Sequence, residues 1–302
     1  MGGMGTMVHA GAADPFTIGT WCQLVMLTAL LLTFGLSAFA VALPHRESTP
    51  QLSPDRFWSL VRLCSLTALI LAPFQLLTAV ASMAGTGLAQ AFALTPQALQ
   101  RTNFGHVWLA ALPLLIGLAV TPWWAAGSRR YAGLIALLAA ALLALHSLVT
   151  HAIDFGVAAI ACYFIHESAA GLFAGALLGL IVTARCRAID LADARLVVCR
   201  TSQLAGWCVA LLIATGIYIA YRTLGLNLDH LLFSPYGRIL IGKVGVFGIV
   251  LLLGGYNRYR LLPDVDVPSV RSLLVRSVCV ECLLLLAVLG LAVLLANTPP
   301  AH

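Results

Sequence analysis

Eight apolar runs, each near the roughly 20 residues a helix needs to cross a bilayer, constrain this chain more than any motif in it. They fall at about 17–42, 57–83, 104–123, 131–150, 157–183, 203–223, 237–256 and 273–296. Backbone inside hydrocarbon must satisfy its own hydrogen bonds, so runs of this length are read as helices. The expected fold class is all-α, a polytopic membrane bundle of eight transmembrane helices. The connections read as short, which leaves no soluble domain, and no internal repeat stands out. The chain then divides into a Met/Gly-rich tail (1–16), a membrane domain (17–296) and a closing tail (297–302).

Composition agrees. Only 9% of residues are charged, where soluble domains carry roughly a quarter. The net charge of +6 comes from scattered residues without a basic patch, so the partner is the lipid bilayer and no nucleic acid is expected. Met1 to Asp14 lacks the basic start of a cleavable signal. The eight cysteines show no secreted-scaffold spacing and read first as small buried hydrophobes.

Basic residues orient the bundle. Connections after odd-numbered runs hold Arg46 and Arg56; Arg129 and Arg130; Arg185, Arg187, Arg195 and Arg200; and Arg258, Arg260 and Arg271. The opposite side has Arg101, Arg222 and Arg238. Arginine-rich connections stay in the cytoplasm, so the multi-pass chain is expected in a bacterial inner membrane with both termini periplasmic.

That orientation sorts the soft and borderline metal ligands. Of eight histidines only His45 falls on the cytoplasmic side; His9, His106, His146, His151, His166, His230 and His302 fall outside or in outer helix halves. All five methionines (Met1, Met4, Met7, Met26 and Met83) do the same. Imidazole with thioether suits copper better than hard cations. Met1, Met4, Met7 and His9 in the tail could recruit a soft ion, or simply belong to an initiator region. Cys22 and Met26, four apart, share a helix face, which serves either packing or passage of a soft cation. The densest constellation is "HSLVTHAIDFGVAAIACYFIHE". There His146, His151 and Asp154 surround one outer turn, and Cys162 and His166 share a face of the fifth helix, with Glu167 beside them. Intramembrane ionisable groups face the bundle interior and mark ion paths. Glu167 also aligns with Gly171, Gly175 and Gly179, a smooth seam for close helix packing. Glu281, between Cys279 and Cys282, needs a proton or a partner; Lys243 and Arg276 are the cations within reach, and a relay role is conceivable for Glu281 and Lys243.

Three segments then show a likeness. "RTNFGHVWLAALPLLIG" (from Arg101), "SPYGRILIGKVGVFGIVLLLGGYNRYRLLP" (Ser234 to Pro263) and "RSVCVECLLLLAVLGLAVLLANTPP" (Arg276 to Pro300) resemble, in order, segments of the bacterial copper resistance protein D (CopD) family. Tyr236, Gly237, Lys243, Asn257, Arg258 and Glu281 fall on family-like positions, and the likeness is strongest from Arg101 onward. It implies an eight-helix inner-membrane protein that binds copper, as Cu(I) or Cu(II), or moves it between periplasm and cytoplasm for copper homeostasis and resistance. It also implies a periplasmic CopC-type copper-binding partner, and it marks His151 and His166 as ligands. Met26 stands where some relatives carry a His, which shifts preference toward Cu(I). Leu172-Phe173-Ala174-Gly175-Ala176-Leu177 replaces the family's Trp-x-Gly-Gly-Leu ending. Transport involves no reaction at a substrate bond, so no enzyme is expected. Two other readings stay open. His106, His146, His151 and His166 could ligate haem in a membrane electron-transfer protein, or the chain could anchor a periplasmic partner.

Overall fold

A computed structural model describes residues 17–43, 55–124, 128–184, 191–225 and 227–298. Within them the chain forms α1 (Ile18–Ala42), α2 (Asp55–Ala84), α3 (Leu88–Arg101), α4 (Asn103–Val120), α5 (Arg129–Ser147), α6 (Val157–Ala184), α7 (Leu191–Leu224), α8 (Leu228–Phe233), α9 (Pro235–Tyr256) and α10 (Pro268–Ala296). Eight of these, all but the short α3 and α8, are long and apolar enough to cross a membrane. The eight-span expectation holds, and no strand occurs among the described residues. The tail residues Met1, Met4, Met7 and His9 lie outside the described residues, as do Arg46, Arg185 and Arg187.

Two features differ from the expected layout. The second connection is not short, because it folds as the 14-residue α3, which leaves Phe92 on its exposed side. Helices also run past the apolar runs: Arg195 and Arg200, expected in a connection, lie in the opening turns of α7. Polar backbone outside the hydrocarbon still gains by continuing a helix already nucleated, so the apolar run marks the span rather than the helix end.

Caps set several starts. Thr102 accepts from the Gly105 amide at 3.0 Å to open α4. Ser234 accepts from the Gly237 amide at 2.9 Å, with Pro235 in the first turn of α9. Each such oxygen satisfies one of the amides a helix start leaves unpaired.

The tightest contact in the bundle is α1 against α6. Gly171 and Gly175 meet Gly35 across this seam, and Phe39, 1% exposed, lies over Gly179. A Cβ at Gly175 would stand 2.5 Å from Gly35 Cα, so the pair approaches backbone to backbone, as glycine-lined membrane helices do. Leu36, Val61, Leu118, Ile135, Leu143 and Ala176 close the core around it.

Side-chain contacts identify which ends lie together. Asn297 Nδ2 donates to Gln23 Oε1 at 2.8 Å, joining the end of α10 to the start of α1. Arg222 donates to the Phe155 carbonyl at that same end. At the other end, Arg62 donates to the Pro122 carbonyl and its guanidinium lies 5.3 Å from the Trp123 ring. Arg195 pairs with Asp266 at 3.1 Å there. The first and last spans therefore share one end, and Arg62, Arg195 and Arg258 mark the opposite one.

Candidate functional site

The stretch of α6 from Cys162 to Glu167 turns two polar faces to its neighbours. His166 lies nine residues after Val157, about 13 Å along the helix. Its Nδ1 is 2.8 Å from Thr215 Oγ1 on α7. That hydroxyl also lies 2.6 Å from the Leu211 carbonyl. A hydroxyl has one proton, and here it goes to Leu211, so the imidazole must donate from Nδ1. Nε2 is then the nitrogen with the lone pair. Cys162, one turn earlier, points its thiol at the Thr215 carbonyl at 3.9 Å. Gly216 of α7 lies beside the ring: a Cβ there would stand in ordinary contact, 3.6 Å from His166 Cε1.

On the adjacent face, Glu167 reaches α5. His146 Nδ1 stands 3.0 and 3.1 Å from its two carboxylate oxygens. A carboxylate only accepts, so Nδ1 again carries the proton and Nε2 is left for another partner. Two imidazoles on either side of α6 are thus oriented the same way, one by a carboxylate and one by a hydroxyl. This is how proteins hold a histidine whose other nitrogen ligates a metal.

Other groups complete the cluster. Lys243 of α9 acts electrostatically on both His166 and Glu167. Tyr163 and Tyr236 lie near Thr223, whose hydroxyl donates to the Ile219 carbonyl at 3.0 Å. Thr215 and Thr223 were not singled out in the sequence. A threonine in an apolar helix at a depth matching an intramembrane His is the signal that would have found them.

The remaining predicted residues are more dispersed. His151 belongs to a 3-10 turn, His151–Phe155, and its side chain lies outside the described residues. Asp154 in that turn is exposed. His106 is exposed and its Nε2 sits 3.1 Å from the Gln100 carbonyl, tying α4 back onto α3. Cys22 turns toward the Leu71 carbonyl of α2 at 3.9 Å, while Met26 packs against the core. Among the described residues, no three His, Cys, Asp or Glu side chains converge into a group that could hold a metal ion.

Glu281 corrects one expectation. Its partner is neither Lys243 nor Arg276: Asn257 Nδ2 donates to its Oε1, and Arg276 is exposed. Lys243 precedes Asn257 by fourteen residues on the same helical span, about 21 Å, which takes it toward the end where α1 begins and α10 finishes. Cys279 and Cys282 are free thiols packed against the core.

Comparison with known proteins accounts for most of the chain. The family described as "Copper resistance protein D-like, N-terminal domain" matches residues 13–157, and "Copper resistance protein D" matches residues 195–295. A curated relative, copper resistance protein D of Pseudomonas syringae pv. tomato, is 24% identical over 263 residues, covering 83% of each chain. No solved structure matches.

Proposed function

Because the chain belongs to the copper resistance protein D family, we propose that it binds copper inside the membrane and moves it from the periplasm to the cytoplasm, as part of copper homeostasis and resistance. The observation that carries this reading is the pair of imidazoles. His146 and His166 each have Nδ1 engaged by a protein oxygen, which leaves Nε2 as a donor for an ion, and Cys162 adds a thiol beside His166. Imidazole with thiol is a ligand set for Cu(I) rather than for hard cations. A cargo site must also release its ion, and a sparse ligand set favours that over a closed structural site.

The arginine-rich end is the cytoplasmic one by the positive-inside rule, which puts the α5–α6 turn and both termini in the periplasm of a bacterial inner membrane. Copper would be collected there by the outer residues Met4, Met7, His9 and His106, or be handed over by a periplasmic CopC-type protein. It would then pass to His151, His146 and the Cys162–His166 face, with Cys22 and Met26 as a second thiol–thioether pair on α1. No bond of a substrate is made or broken.

The test is copper uptake into proteoliposomes, together with copper stoichiometry, for the wild type and His166→Ala. Folded H166A that loses both supports the reading. H166A with unchanged stoichiometry and uptake refutes the assignment of this site. A haem Soret band in the purified protein would instead favour electron transfer.

A further inference from the structure

The centre of the arginine-rich half holds a titratable group that copper binding does not use. Glu281 follows Pro268 by thirteen residues on α10, about 20 Å along the helix. It is 2% exposed. The hydrogen-bond partner across the helix pair is Asn257, 7% exposed, whose Nδ2 donates to Glu281 Oε1. Asn257 Oδ1 is buried and has no hydrogen-bond partner. Gly254, one turn earlier, presents no side chain to Glu281 Oε2; even a Cβ there would be 3.8 Å away.

Among the described residues no cation compensates this carboxyl. Among the described residues, Arg195 pairs with Asp266 and His146 serves Glu167, and neither contact involves Glu281. On α10 itself, Cys279 and Cys282 are the neighbouring titratable groups, with Glu281 acting electrostatically on Cys282, and Arg276 is exposed. From the α9 span, Arg258 is turned away to the Ser202 carbonyl, and Lys243 acts on α6 instead. From α6 and α1, the titratable side chains (Cys162, Tyr163, His166, Glu167, Cys22) all lie toward the opposite end of the bundle. One hydrogen bond from a neutral amide does not offset the cost of a bare carboxylate in hydrocarbon.

The site therefore needs one positive charge, and its chemistry says which. A metal cation with oxygen preference wants about six or more oxygens, and this site offers one carboxyl and one amide oxygen. Cu(I) wants sulfur or nitrogen. A proton needs only an oxygen lone pair. Asn257 suits both states of an acid: its NH2 donates to the carboxylate, and its oxygen, idle in this arrangement, accepts from the carboxylic acid once the amide turns over. The backbone permits an unusual placement here, because the α-helix widens into a π-turn over Asn257–Leu261, with the Leu262 amide donating to the Asn257 carbonyl at 2.8 Å. Such turns inside membrane or soluble helices recur at functional sites.

We propose that Glu281 is a proton-binding site in the membrane interior, held by Asn257, and that its loading and unloading couple copper movement to the proton gradient. A proton from water forms an O–H bond with a carboxylate oxygen, and leaves to water by the reverse step; no electrons move. The coupling half of this proposal rests on copper transport as read above, but the proton site does not.

Two measurements test it. Infrared difference spectra of purified protein across a pH titration should show a carbonyl-stretch band of a buried carboxylic acid. Glu281→Gln should abolish the band, and Asn257→Leu should shift it. In proteoliposomes, a one-unit pH gradient should change wild-type copper accumulation about tenfold for one proton per ion. In E281Q the same gradient should change it about one-fold, with copper stoichiometry retained. A band that persists in folded E281Q overturns the proton site, as does replacement of the pH response by dependence on sodium. Uptake in E281Q that still follows the gradient overturns the coupling. Wild-type vesicles that move no copper while the band is present and lost in E281Q refute transport, and the coupling with it, but leave the proton site standing.

Discussion

Replacing Thr215 by Val isolates what orients His166. Valine keeps the volume of the side chain and removes only the hydroxyl, so the 2.8 Å bond to Nδ1 and the 2.6 Å bond to the Leu211 carbonyl both disappear. The carbonyl is still served by its helix. The imidazole N–H is not, and leaving it unsatisfied inside the bundle costs about 1–3 kcal/mol of stability. The effect on copper is separable. A residue that fixes the tautomer and angle of a ligating histidine is worth about 10- to 100-fold in metal affinity. Copper affinity is measured by competition with a chromogenic Cu(I) chelator in detergent, alongside thermal unfolding. Thr215→Ser restores the hydroxyl and should recover most of the affinity. Thr223→Val, which removes a hydroxyl that lies near Tyr163 and Tyr236 and donates to the Ile219 carbonyl, should leave copper affinity unchanged. Folded T215V with wild-type affinity would refute the role of His166 Nε2 as a ligand.

Two further outcomes follow from contacts already described. Gly175→Ala drives a methyl group into the α1 backbone and should cost about 3 kcal/mol or more of stability, read as lost thermal stability and yield; Gly245→Ala on α9, which meets open space, should change it by no more than about 1 kcal/mol. A double-mutant cycle of His146→Gln and Glu167→Gln should return a coupling of about 1–2 kcal/mol, in the middle of the range for contacting polar pairs, because the histidine side chain is 27% exposed. Additive losses would show that the pair is not a working contact.

The eight spans were legible because bilayer thickness imposes a length on apolar runs and little else competes with it. The glycine seam was legible for a similar reason: Gly171, Gly175 and Gly179 fall every four residues, and only small residues let helices meet that closely. What escaped was every pairing between distant segments. His166 and Thr215 are 49 positions apart, and their meeting depends on the depth of each in its own helix. Charge logic sent Glu281 to Lys243, but the two sit at different depths, and a neutral amide at the right depth took the cation's place. α3 was missed because its single buried side chain, Ala91, gives the sequence too short an apolar pattern to stand out.

The seam between α1 and α6 also limits how this molecule can move. Backbones that touch through glycine have no layer of side chains between them to shear, so neither helix can slide or roll past the other without a clash. These two helices act as a stator. α9, by contrast, leaves Gly242, Gly245 and Gly248 without neighbours and packs chiefly on α10. It carries Lys243 at one depth and Asn257 at another. A small tilt of α9 against the stator would therefore alter the His166–Glu167 cluster and the Glu281 site in a single stroke, like the two arms of a lever.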